Sequence, residues 1–331
     1  MRSSCLAVPR PRAERLRQWL LERGLLRTDL AIRRDEQFVY LPVRGDVDVE
    51  ETRPLEMEFE EREREPRWQE ALAGVLPDGA SLSSFDVVGD IAILRLPSEM
   101  ESYKREVGRA ILSAQKSIRV VCNDRGVKDH YRVRDLEVIA GEQRTETTHR
   151  EHGIAMTLDV SQVYFSPRLA TERRRVADQV QPGETVIDMF AGVAPFSLVI
   201  AAVSRPSQVY AIDVNPVAVR YARLNVQRNR LQEHVTVMEG DARQVLPSLP
   251  PADHIVMNLP HSAQEFFSLA VDRAGVIHYY DILEPEKIGE RLDWLRSQAE
   301  EKGRQATVRE TRTVGMYSPR QVKLGVDVVI D

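Results

Sequence analysis

The sequence predicts an α/β protein in which a helix-wrapped parallel sheet follows two smaller α+β units. Three observations carry this. From about residue 166, strand-like and helix-like runs alternate: "GETVIDMF", then 195–203, "QVYAIDV", "PVAVRYARLNVQRN", "VTVMEGD" and "DHIVMNLP". Strands joined by crossover helices form a parallel sheet. Before that, "SFDVVGDIAILRLP" predicts two strands around Gly89, "SEMESYKREVGRAILSAQ" a helix with a Ser start, and "SIRVVCND" a further strand, the mark of a compact α+β unit. At the N-terminus a helix, "RAERLRQWLLERGLL", precedes a strand pair, "LAIRRDEQFVYLPVRG". The charge run at 49–70 reads as a solvated linker or exposed helix. A length of 331 residues suits two or three domains, and the expected divisions are 1–70, 76–150 and 151–331.

Composition sets outer bounds. A hydrophobic fraction of 42% and a charged fraction of 29% describe a globular chain with material for real cores. No apolar run is long enough to span a bilayer, and Pro9, Pro11 and charges stand where a signal peptide needs an apolar stretch. A cytoplasmic protein with no membrane contact is expected. Cys5 and Cys122 are the only cysteines, and the seven His do not fall in HxxxH or HExxH spacing. Neither a disulfide framework nor a metal site is expected. Net charge is −5, which by itself speaks against nucleic acid. The acid, however, is concentrated in 49–70, while "SPRLATERRR" and "KDHYRVR" are locally basic.

Chemistry-bearing residues recur at strand ends, where open parallel sheets bind ligands. "VIDMFAGVAPFS" puts Asp188 at one tip, followed by Phe190, by Gly192 in a tight turn and by Pro195 at a helix start. The next strand ends at Asp213, just before Asn215, and the one after at Asp241. An acid at the second tip suits a ribose diol, and one at the third suits an exocyclic amine. G-x-G-x-x-G is absent, so the backbone cradle of a dinucleotide pyrophosphate is missing. Adenosine with a short charged tail fits better, and S-adenosyl-L-methionine is the expected cofactor. The fourth tip, "NLPHSAQEF", offers the Asn258 amide to the edge of a planar base, with Pro260 fixing the backbone. It looks like the Asn-Pro-Pro-aromatic signature of nitrogen methyltransferases, with Leu259 in the middle.

Together with "VYFSPRLATERRR", "AIDVNP", "GVIHYY" and "YSPR", these segments resemble the archaeal and eukaryotic tRNA guanine-N1 methyltransferases that act on position 37, beside the anticodon. The resemblance covers most of 150–331 in order, and 1–70 and 84–94 resemble the family's N-terminal tRNA-binding domains. It implies a Rossmann-like class I methyltransferase domain, tRNA as partner at the anticodon loop and elbow, and no protein partner. It also implies site roles. Glu172 matches the family's proposed general base for the N1 proton. Arg132, with Arg134 on the same strand face, is the candidate cation for O6. Tyr164 would border the flipped base, with its neighbour Phe165 in the core. Arg168, Arg173 and Arg320 suit phosphates, and Asn258 and Pro260 border cofactor and base alike. One departure is Ala194, where the family has Gly in the cofactor loop, read as a tolerated variation. Rival readings are methyl or aminocarboxypropyl transfer to a wyosine-pathway intermediate, and a catalytically silent tRNA-binding protein.

Overall fold

The computed structural model describes every residue except 46, 48, 50, 51, 62–71, 73–81, 83 and 129–132. The chain divides into two compact units, Met1–Glu70 and Ala71–Asp331. In the first, strands β1 (Arg2–Pro9), β2 (Arg33–Arg34), β3 (Phe38–Pro42) and β4 (Arg53–Glu58) form a sheet in the order β2-β3-β1-β4. Leu6 and Val8 of β1 share a core with Ala13 and Leu20 of the helix Arg10–Glu22. Two elements differ from expectation. β1 precedes the helix, and part of the 49–70 charge run is strand β4, paired antiparallel with β1. β4 exposes most of its side chains, so its composition reads as solvated although its backbone is in a sheet.

In the second unit, β5 (Asp86–Val88), β6 (Ile91–Leu94), β7 (Val120–Lys128) and β8 (Val133–Gly141) form a four-stranded sheet. A hairpin of β9 (Glu146–Glu151) and β10 (Ile154–Asp159) follows, so the expected junction at 150/151 falls inside that hairpin. It docks on helix Pro216–Arg228 through two asparagines one turn apart. Asn225 accepts from Thr157 N at 2.7 Å and donates to Thr157 O at 3.0 Å, and Asn229 does the same with Ala155 at 3.0 and 2.8 Å. Each side-chain amide replaces a strand partner for an otherwise unpaired backbone pair.

The remainder is a seven-stranded sheet in the order β13-β12-β11-β14-β15-β17-β16. Its strands are β11 (Thr185–Asp188), β12 (Gln208–Asp213), β13 (Val235–Glu239), β14 (Ala252–Met257), β15 (Ala274–Leu283), β16 (Ala306–Ser318) and β17 (Gln321–Ile330). β13 to β15 run parallel, and the β17–β16 hairpin closes the sheet antiparallel. Strand order reverses between β11 and β14, which opens a crevice at their carboxyl ends. Central strands such as β14 are buried over almost their whole length, as a sheet covered on both faces requires.

Candidate active site

Loops beyond β11, β12 and β13 are stitched together by backbone donors. Asp213 accepts from Gly192 N at 2.6 Å through Oδ2 and from Asn215 N at 2.8 Å through Oδ1, while Ala191 N donates to Ile212 O at 2.8 Å. Burial pushes the Asp213 carboxyl up, and the N–H bonds from Asn215 and Gly192 oppose this. Gly192 has φ +56, and a Cβ there would meet only the Tyr164 carbonyl oxygen, at 3.7 Å. The strap is therefore open beside Gly192. Asp188 is fully buried. Its Oδ2 accepts from Ser197 Oγ at 2.8 Å, and Oδ1 has no hydrogen-bond partner among the described residues. Burial pushes its carboxyl up to about 7, Ser197 pulls it down and the charge of Asp213 adds to the rise. An orphaned buried acceptor is costly unless a ligand supplies the donor. The ammonium of an amino-acid tail is such a donor, and the open strap and paired acids fit an adenosine-bearing cofactor.

Phe190 stacks edge-on against Phe266 at 4.9 Å, and Arg243 lies 4.2 Å over Phe266. Asp241 caps helix Ala242–Val245 through Arg243 N at 2.8 Å and also pairs with the Arg243 guanidinium at 3.2 Å, so its carboxylate is shared before any amine arrives. Asn215 is buried and serves as a cap: Oδ1 accepts from Val217 N and Ala218 N, and Nδ2 donates to Gln162 O. It holds the helix start beside the cofactor-side loops. Arg173 is 1% exposed and makes a bidentate pair with Glu151 at 2.5 Å, beneath Phe165. It braces the hairpin from inside.

At the fourth tip, Asn258 and Pro260 are partly buried. Asn258 Oδ1 accepts from Lys323 Nζ at 2.8 Å. Glu172, 6% exposed on helix Ala170–Ala177, lies on the same side of the sheet. Tyr280 Oη donates to its Oε1 at 2.7 Å, and both Arg175 and Arg312 clamp it by two nitrogens, the shortest contact being Arg312 Nη2 at 2.5 Å. Burial alone would push this carboxyl up, but the hydrogen bonds from Arg312, Arg175 and Tyr280 prevail and hold it at about 2. Glu172 is thus an anchored carboxylate, ionised at any working pH but weakly basic in this arrangement.

The clamp continues inward. Arg175 and Arg312 also hold Asp327, which accepts from His278 Nδ1 at 2.9 Å. His278 meets His254 at 3.0 Å, and His254 reaches Glu184 at 3.1 Å. Burial and then the neighbouring His278 push His254 down to about 4, so it is neutral. Strand pairing explains the ladder: Tyr280 and Arg312 both sit opposite Gly325, and His278 and Glu310 opposite Asp327. A Cβ on Gly325 would lie 3.1 Å from Arg312 Nη2, so glycine leaves the room in which that guanidinium crosses to Glu172. Sequence reasoning missed Arg312, Lys323, Asp327 and Tyr280 as site residues. The alternation "KLGVD" on β17 was the available signal, but only with its register known.

Of the aromatic pair, Phe165 is buried and Tyr164 is 46% exposed. Arg168 is exposed and donates to Asp86 at 2.7 Å. Arg320 is exposed beside Ser318 and Glu284. Arg132 lies outside the described residues. Arg134 pairs with Asp86 at 3.3 Å and Asp124 at 3.4 Å, which neutralises it locally.

Known proteins align with this arrangement from end to end. The TRM5/TYW2 methyltransferase domain matches residues 147–307, a TYW2 N-terminal domain 68–145 and a tRNA methyltransferase 5 N-terminal domain 5–51. tRNA (guanine(37)-N(1))-methyltransferase Trm5b of Pyrococcus abyssi is 39% identical over 97% of both chains. The chain belongs to the TRM5/TYW2 methyltransferase family. tRNA 4-demethylwyosine(37)-methyltransferase Taw21 of Saccharolobus solfataricus is 37% identical over 61% of this chain and 79% of its own. The solved complex of aTrm5 with tRNALeu superposes with a TM-score of 0.72 at 33% identity, over 99% of each chain. None of the helices among the described residues is long and apolar enough to cross a membrane.

Proposed function

We propose that this protein transfers the methyl group of S-adenosyl-L-methionine to N1 of guanosine at position 37 of tRNA, in the cytoplasm. The single observation that carries the reading is the contact chain Glu172–Tyr280–Lys323–Asn258. It links the anchored carboxylate to the fourth strand tip through 2.7 Å, 5.5 Å and 2.8 Å steps, and the strand that ends there pairs with β11, which ends at Asp188. The near full-length likeness to a Trm5b enzyme supports the substrate.

In this reading Asp188, Gly192 and Asp213 hold the cofactor, with Phe190 and Asp241 bordering the adenine side. The bound cofactor supplies an electrophilic methyl on a sulfonium. N1 of neutral guanine carries a proton, so a base and a cation at that edge are needed. Glu172 is the proton acceptor, made competent when the entering base displaces one of its guanidinium partners and raises its basicity. Asn258 pairs with the purine edge, and Tyr164 flanks the extruded base. Arg168 and Arg320 contact phosphates of the anticodon loop. Arg132 remains our candidate for O6. Residues 1–70 and 76–150 bind tRNA, the first at the elbow.

Incubation of purified protein with cofactor and a transcript bearing G37, followed by nucleoside mass spectrometry, tests this. N1-methylguanosine at position 37 is expected, and an unmodified G37 sinks the proposal. The likeness to Taw21 favours one second reading, methylation of a wyosine intermediate at the same position. The same measurement on tRNA carrying that intermediate separates the two.

A further inference from the structure

Lys323 is a link in the contact chain above but is given no chemical task there, yet its ammonium touches Asn258. On β17, residues 323, 325 and 327 alternate onto one face, the face that carries Tyr280, Arg312 and Glu172. The Lys323 ammonium donates to Asn258 Oδ1 at 2.8 Å and lies 5.5 Å from the centre of the Tyr280 ring. An ammonium only donates, so the amide atom facing it must be the oxygen. The orientation of the amide, ambiguous for an isolated asparagine, is thereby set.

We propose that Lys323 is a positioning residue for N1-methylation: it locks the Asn258 amide with Nδ2 left for the incoming base, and its positive charge acts through that amide by polarising it. This rests on the function proposed above. Among the described residues, the neighbouring cations are otherwise engaged. Arg175 and Arg312 are committed to Glu172 and Asp327, and Arg173 to Glu151. The titratable groups facing Lys323 are Tyr280 from β15 and Glu172 and Arg173 from helix Ala170–Ala177, while Gly315, opposite on β16, adds none. Burial, then Arg173, pushes the amine down to about 8 against the pull of Glu172. The ammonium is therefore complete well below pH 8 and is lost above it.

The test uses the full chain, a G37 transcript and saturating cofactor, with single-turnover rates, tRNA affinity and melting temperature measured for each variant. Lys323→Met should slow methyl transfer roughly 10- to 100-fold, the worth of a charge-assisted hydrogen bond, with tRNA affinity and melting temperature unchanged. Lys323→Arg should restore most of the rate, and the wild-type rate relative to it should fall as pH rises through 8. In an Asn258→Ala background, Lys323→Met should add little, because its effect runs through the amide. Multiplying losses, loss of tRNA affinity or of melting temperature in parallel with rate, or an unimpaired Lys323→Met in an active enzyme would each overturn the proposal alone. A wild-type protein that leaves G37 unmodified would remove the function itself, and this role with it.

Discussion

The two halves of the seven-stranded sheet hold their functional side chains by different means. Beyond β11 and β12, the Asp213 carboxylate is pinned by backbone N–H groups of adjoining loops, from Gly192 and Asn215. Across β15, β17 and β16, Glu172 is held by side chains alone: two guanidiniums and a phenol, themselves fixed by Asp327 and His278. Backbone pins need only the turns at two neighbouring strand ends, whereas the side-chain lattice needs three strands and a helix in register. Disturbing the first half should therefore weaken cofactor binding, and disturbing the second should slow chemistry and loosen the fold.

The largest effect is expected from Glu172→Gln, which leaves Arg175 and Arg312 facing a neutral amide. Removing one partner of a buried ion pair costs about 3–5 kcal/mol, to be read from urea unfolding. Methyl transfer should slow roughly 10²- to 10⁴-fold while cofactor affinity stays within a few-fold. Equal losses in rate and cofactor affinity would erase the distinction between the halves. Glu172 also gives the lattice an acid signature. Its folded value, about 2, lies below the usual 4.5, so its stabilisation is complete above 4.5 and lost as pH falls toward 2. Glu172→Gln should unfold less steeply across that window.

Next in size is Asp213→Ala, which removes both pins. Cofactor affinity should fall roughly 10- to 100-fold, the worth of one or two charge-assisted bonds, with little change in single-turnover rate at saturating cofactor. Calorimetric titration against kinetics checks this. Asp188 sharpens the same half through pH. With its carboxyl raised to about 7, it is protonated below neutrality and must ionise to pair with an ammonium. Cofactor affinity should rise between pH 6 and 8, by up to about tenfold per unit on the acid side, with proton release visible in buffers of different ionisation enthalpy. Asp188→Asn should abolish that slope.

The smallest effect belongs to Ala194→Gly. Ala194 is fully buried and left-handed, with φ 68 and ψ 36. Relief of about 1–2 kcal/mol of backbone strain is opposed by about 0.8 kcal/mol of lost methyl burial and the higher unfolded-state entropy of glycine. Melting temperature should barely move, and cofactor affinity should not fall.

The strand tips were legible because each is a local event. An apolar run ends, an acid or amide follows, and a Gly or Pro turns the chain. Local reading is mute where one residue type serves two purposes: Asn215 caps a helix, and Arg173 pairs internally with Glu151. Neither burial nor pairing is written in the residue itself. The charge run at 49–70 misled for a related reason, since an exposed edge strand such as β4 carries no apolar alternation strong enough to announce it.

By itself the sequence determined the layered α/β class, the run of acids at successive strand ends and the amide that closes the series. Those follow from periodicity and turn chemistry within a dozen residues. Tertiary structure alone decided which cations meet Glu172, because Arg312 is 140 residues away along the chain and Asp327 lies 152 from Arg175. Only the register of two antiparallel pairings and one side-chain-free glycine bring those charges onto a common face. A one-residue slip in that register would turn every one of them to the other side.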